Sequence, residues 1–275
     1  MDASFEWHDE RHWDWQQPWL APLARCGEPA LAAIAAGATV AAACNAVRLA
    51  RDGVLAMGNH CPAADTARAH VPANARSASR SPEPHFVPAA ARPGAEAYEA
   101  FISRTGLVPT RDNAHDFLNA LMWLHRPVHK ARLNALQAAE LARHGVARQR
   151  GALRDALTLF DENGAVLHAP ARLVEALRRR DWQALFITHR AAWRHARFEV
   201  FGHALLEKLA TAPRTALTAH VLLVDALDLS AADWAGKPFC PMPVLGVPGW
   251  CAANENSAFY DDPAVFRSPS ASINR

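Results

Sequence analysis

The chain has 275 residues, a net charge of +2, and 51% apolar and 20% charged side chains. One domain of that length buries roughly 75% of its unfolded surface, and so small a charge excludes an electrostatic case for nucleic acid or a membrane surface as partner. All but three of the 29 basic residues are arginine, the exceptions being Lys130, Lys208 and Lys237, a balance that reads as GC-rich coding rather than as an arginine patch.

In chain order, Trp7 to Trp19 is rich in tryptophan and acids, and suits either a docking arm or a segment packed over the core. Pro29 to Val47 carries no charge, but alanine, glycine and threonine give little transfer energy, so packed small-residue helices are expected instead of a membrane span. Ala30 to Met57 reads as one or two such helices, anchored by Leu31, Ile34, Val40, Val47 and Leu55. Residues 1–57 thus form an N-terminal unit. Gly58 to Gly94 holds six prolines and no helical period, which predicts a mobile loop or linker with one extended stretch at His85–Ala89.

Residues 95–267 form the core domain, and 268–275 a flexible tail. Ala95 to Thr105 has Tyr98, Phe101 and Ile102 on one side and Glu96, Glu99 and Arg104 on the other, the pattern of an amphipathic helix. Asp112 or Asn113 caps a following helix to about His125, Pro127 breaks it, and a second helix runs from Val128 to about His144. Leu157–Phe160 and Ala165–Leu167 flank Asp-Glu-Asn-Gly, which predicts a β-hairpin with Asp161 and Glu162 exposed in its turn. Helices are expected at about Ala171–Arg180, Asp181–Trp193 and Phe198–Ala210, while "TAHVLLVDAL" fits a strand or a buried helix. After Gly236 the prolines and glycines predict irregular chain. The fold class is therefore α+β: a mainly helical single domain with a small antiparallel sheet, its hairpin near 157–167.

The five cysteines have no CxxC spacing, which predicts buried thiols in a reducing cytoplasm rather than a disulfide framework. Glycine-rich phosphate loops and the GxSxG elbow are absent. "TRDNAHDFLNALMWLHRPVHK" is the densest polar motif. Spacings of three and four put His115, Asn119, Met122 and Arg126 on one face of its helix, beside an N-terminus whose dipole favours anions, with Arg111 just outside. Capping and dipole effects alone, worth ~1 kcal/mol or less each, account for much of this motif. In "GHALLEK", His203 and Glu207 sit one helical turn apart and lack the second histidine of HExxH. Should His115, Asp116, His203 and Glu207 converge, they would make an N/O site for a divalent metal, the one cofactor these residues could hold. That requires the two imidazole rings to lie within ~4–5 Å, given metal–ligand bonds near 2 Å.

Taken in order, "FVPAAARPGAEAYEAFISRTGLVPTRDNAHDFLNALMW", "KARLNALQAAEL", "RDALTLFDENGAVL", "FGHALLEKL", "LTAHVLLV" and "VLGVPGWCAANENSAFYDDPAVFR" resemble the bacterial family named domain of unknown function 3025. The resemblance spans about Pro84 to Arg267. It carries the family's polar signature onto Arg111, Asp112, Asn113, His115, Asp116, Asn119, Lys130, Asn134, Asp155, Thr158, Asp161, Glu162, His203, Glu207 and Lys208, and later onto Gly249, Trp250, Asn254 and Tyr260. Ala114 and Cys251 depart from the pattern, where a larger apolar residue and a second tryptophan are usual. The resemblance implies a bacterial, cytosolic protein and no particular activity.

Two functions stand against each other at this stage. The first is a hydrolase-like, metal-assisted enzyme acting on a small or anionic substrate. His115, Asp116, His203 and Glu207 would be its catalytic and metal residues, and Arg111, Asn119, Lys130 and Asn134 its ligand-binding residues. The second is a non-catalytic binding or assembly module whose polar residues form a structural network. A small-molecule ligand and a protein partner are the respective partners.

Overall fold

The structure is a computed structural model and describes residues 7–9, 13–57, 83–145, 151–211, 213 and 215–267. The N-terminal tryptophans pack over the core. Trp7 and Trp13 meet the Phe117 ring at centroid distances of 5.8 and 5.4 Å, and Trp19 meets Trp250 at 5.8 Å. The uncharged run is split between two helices, α1 (Ala24–Ala35) and α2 (Val40–Met57), which pack on each other. No described helix is long and apolar enough to cross a membrane. Cys26 and Cys44 are buried as free thiols, Cys240 and Cys251 half-buried, and Cys61 lies outside the described residues.

The expected extended stretch is β1 (His85–Pro88). It pairs in parallel with β2 (Leu107–Thr110), which follows the amphipathic helix α3 (Tyr98–Thr105). Asn45 of α2 ties this ribbon down through both backbone groups of Phe86: its Nδ2 donates to the carbonyl (2.7 Å), and its Oδ1 accepts from the amide (3.0 Å). The remainder of the expected linker, residues 58–82, and the tail 268–275 lie outside the described residues.

Asn113 caps α4 (Ala114–His125), accepting from Asp116 N at 2.8 Å. Asp112 instead accepts from Val40 N at 2.7 Å, so the two adjacent residues cap two different helices. Phe117, Leu118, Leu121 and Met122 are fully buried, and α4 packs against α1, α2, α5 (Pro127–His144) and α8 (His203–Thr211). The apolar period of α4 leaves its first-turn polar side chains pointing along the remaining open side. Pro127 starts α5 at a position where its missing N–H costs nothing.

The fold class stands as α+β and mainly helical, but the hairpin does not. Residues 152–163 form the helix α6 (Ala152–Asn163), and the chain passes directly into β3 (Gly164–His168). Leu153, Ala156, Leu157 and Phe160 are buried at helical spacing, so packing prevailed over the Asn-Gly turn cue. The main sheet is mixed, ordered β4-β3-β5-β6, with β4 (Arg197–Val200) antiparallel to β3, β5 (Thr218–Leu222) parallel to β3, and β6 (Cys240–Pro243) antiparallel to β5.

The ambiguous "TAHVLLVDAL" is thus a strand at its start. The helix expected at Ala171–Arg180 is α7 (Ala171–Arg179), and the one expected from Phe198 is a strand to Val200, then α8. The one expected over Asp181–Trp193 is a π-helical turn (Gln183–Thr188) followed by a 3₁₀ segment (Arg190–His195). β6 lies at an edge, where Pro241 and Pro243 remove no ladder bond that a central strand would need.

One close approach positions the site. Phe201 N and Gly202 N both donate to the Gly164 carbonyl at 2.9 Å, drawing the start of α8 against the end of α6. A Cβ on Gly202 would sit 2.5 Å from Glu162 O and Asn163 N. Gly202→Ala is therefore expected to destabilise the protein by ~1–3 kcal/mol, the usual cost of overpacking, as read by urea denaturation. An unchanged midpoint would show that this junction is looser than its geometry implies.

Candidate functional site

Five helices converge on one open, polar cavity of about 360 Å³. The first turns of α4 bring His115, Asp116 and Asn119, and the last two turns of α6 bring Thr158, Asp161 and Glu162. The first residue of α8 is His203, while α3 and α5 supply Tyr98 and Gln137.

His115 and His203 come together with ring centroids 4.5 Å apart and their Nε2 atoms at 3.0 Å. The third member is Glu162, whose Oε2 lies 3.7 Å from His203 Nε2. One ligating atom from each of the three falls within 4.8 Å of the others.

The far side of each imidazole faces a carboxylate. His115 Nδ1 is 2.8 Å from Glu207 Oε2, and His203 Nδ1 is 3.8 Å from Asp161 Oδ2. Asp161 is itself bonded to the buried Lys130, which donates to Asn119 Oδ1 at 2.8 Å; Asn119 donates in turn to the Tyr98 hydroxyl at 3.1 Å.

Charge and burial set the protonation states. Burial, joined by the nearby Lys130 and His115, outweighs the opposing pull of Asp161 and lowers the His203 pKa to about 4, so the ring is neutral at pH 7. Burial alone would raise Asp161, but Lys130, His203 and His115 together hold it below the ordinary aspartate value. Burial raises Glu162, with Asp161 adding to it and His115 opposing. Burial also pushes the Tyr98 phenol up, so it keeps its proton.

The sequence residues divide as follows. His115 and His203 meet. Glu207 stands behind His115 on its Nδ1 side and is not among the three gathered ligating groups. Asp116 closes back on Arg111, accepting from its backbone N–H at 2.7 Å and its Nη2 at 2.9 Å, and it too is outside the trio. That pair also engages Arg111, one of the expected ligand-binding residues. Asn134 donates to the Glu99 carbonyl at 3.2 Å and helps hold α3 on α5.

Sequence reasoning placed Asp161 and Glu162 in an exposed turn. They line the cavity because the chain there is helical, and the period of Leu153, Ala156, Leu157 and Phe160 was the signal that assigns them to a helix. Thr158 fell in a stretch expected to be a strand and entered only through the family resemblance, while Gln137 was readable only as a polar position on its helix.

A second cavity of about 170 Å³ lies on the sheet near Arg126, His129, Arg197 and Asp225. Its charges are matched internally: Glu199 bonds His125, Arg126 and Arg197, and His129 bonds Asp225 at 3.0 Å.

A family model described as "Protein of unknown function (DUF3025)" matches residues 84–235 and 223–270, which includes every residue of the first cavity. No curated protein and no solved structure matches the chain.

The neutral, buried His203 links stability to pH. Its folded pKa of about 4 is below the ordinary 6.5, so the unfolded chain binds the extra proton first. Stability from this group is complete above pH 6.5 and is lost as pH falls towards 4, by ~3 kcal/mol. The raised Glu162 works in the opposite sense and offsets part of the loss. Chemical denaturation of chelator-treated protein from pH 7 to 4.5 should show the decline, and His203→Gln should flatten it; identical slopes would exclude His203 as the source.

Proposed function

Since the chain belongs to the DUF3025 family, whose description assigns no function, we propose from site geometry that His115, Glu162 and His203 hold one divalent cation. The cation would serve hydrolysis of a small or anionic substrate. The observation that carries this reading is the pair of Nε2 atoms at 3.0 Å, with Glu207 hydrogen-bonded to the other nitrogen of His115; the other nitrogen of His203 has no hydrogen bond, its nearest carboxylate oxygen, on Asp161, lying 3.8 Å away. Two nitrogens ~2.1 Å from one ion, at angles of ~90–110°, lie roughly 3.0–3.4 Å apart. A histidine that ligates through one nitrogen commonly gives the other N–H to a carboxylate, which fixes its tautomer. With both Nδ1 atoms protonated, two lone pairs face each other and repel unless a cation lies between them.

Two imidazoles and a carboxylate suit zinc, manganese or iron. Held by His115, Glu162 and His203, such an ion would supply Lewis-acid activation of a water for hydrolysis, the three side chains leaving room for water and substrate.

One observation also favours a non-catalytic network. The 3.0 Å contact is the length of a hydrogen bond, so a single proton between the two rings would satisfy it. Glu207, Asp161 and Lys130 would then act as structural partners.

Elemental analysis of purified, tag-free protein separates the two. Near-stoichiometric zinc, manganese or iron is expected in wild type, lost in His203→Ala and Glu162→Ala. Glu207→Gln should weaken metal affinity ~10–100-fold, the usual effect of removing a carboxylate behind a ligating histidine. Asp116→Asn should leave metal content unchanged. Wild type that neither carries nor takes up a divalent ion leaves the network reading in its place.

A further inference from the structure

Within the same cavity, the Gln137 amide and the Tyr98 hydroxyl have no acceptor among the described residues. Gln137 is only 5% exposed and lines the cavity. Its Oε1 accepts from Thr158 Oγ1 at 3.4 Å, whereas its Nε2 donates to no described residue. Of the sealed, unpaired nitrogens and oxygens of the described residues, one, His203 Nδ1, belongs to this cavity; Gln137 Nε2 is not among them and keeps access to the cavity. Tyr98 accepts from Asn119 through its oxygen, and its O–H donates to no described residue.

Charge adds a condition. Arg111 is matched by Asp116 and Lys130 by Asp161. Left unmatched are Glu99 and Glu162 in the lining and Glu207 behind His115. Against them stands Arg92, which gives a hydrogen bond to the neutral Glu96 carbonyl. The cavity therefore repels anions until a divalent ion offsets the excess.

We infer that the cavity binds an oxyanion, a carboxylate or phosphate group, with one oxygen on the ion and others on Gln137 Nε2 and the Tyr98 hydroxyl, and that this binding requires the ion. The inference rests on the metal reading above. It narrows the substrate to compounds whose group next to the scissile bond presents several acceptor oxygens, and it gives Gln137 and Tyr98 a binding role.

The test is calorimetric titration of the full chain, stripped with chelator and then given one equivalent of zinc. Inorganic phosphate and acetate are titrated separately, and the tighter binder tells phosphate from carboxylate. One of them should bind the zinc form and neither the stripped form. Gln137→Glu keeps the shape but replaces the donor by an acceptor, and Tyr98→Phe removes the hydroxyl. Each should retain zinc and weaken the anion by about tenfold or more, the scale of one lost hydrogen bond to a charged group.

Zinc bound without either anion would overturn the inference and leave the metal reading standing. Equal anion affinity with and without zinc, or in wild type and both variants, would overturn the ion dependence or the donor assignment respectively. Failure to bind zinc at all would overturn both readings.

Discussion

The carbonyl of Gly164 accepts two backbone amides, from Phe201 and Gly202, and the candidate site depends on that junction. It closes the end of α6 onto the start of α8 so tightly that no side chain fits at Gly202. Glu162 and His203 are 41 positions apart in sequence and become neighbours through this contact. The same turn delivers Phe201 onto the Phe160 ring, stacked at 4.8 Å, so apolar burial and site assembly are one event. Phe160 in turn occupies the space where a Cβ on Gly164 would lie, which makes glycine necessary at that end as well.

α4 presents the opposing histidine. Its apolar side is buried against four other helices, and Asn113 fixes where the helix begins, so His115 has little freedom of placement. The N-terminal unit contributes here although it supplies no residue to the site. Trp7 and Trp13 cover Phe117, and Asp112 joins the starts of α2 and α4. Neither α1 nor α2 lies within the matched family region, so in this chain the support for α4 extends beyond the family core.

Electrostatically, the site is built from pairs in which one member is more deeply buried than the other. Lys130 is 4% exposed and would be very costly to bury alone; Asp161 and Asn119 complete its hydrogen bonds, and Trp123 lies under its ammonium group. Asp161, held ionised by Lys130, then faces the neutral His203. The chain of contacts from Tyr98 through Asn119, Lys130 and Asp161 to His203 links the donor wall of the cavity to the imidazole pair.

Local rules determined much of the architecture. The α3, α4 and α5 helices, a cap at Asp112 or Asn113, the Pro127 break and the β1 stretch all follow from side-chain period, capping and proline chemistry, which act within a few residues. The pairing of His115 with His203 was a candidate because each stands in a polar helical motif, but nothing local distinguishes Asp116 and Glu207 from Glu162 as the third partner. Tertiary structure decided that: Asp116 folds back to Arg111, Glu207 falls on the outer nitrogen of His115, and the junction at Gly202 brings in Glu162. The region around 157–167 failed for the same reason. Asn-Gly is a strong turn signal in isolation, but the burial of Phe160 among Phe201, Trp234 and Phe239 favours a helix there, and that core exists only when distant strands and helices have closed around it.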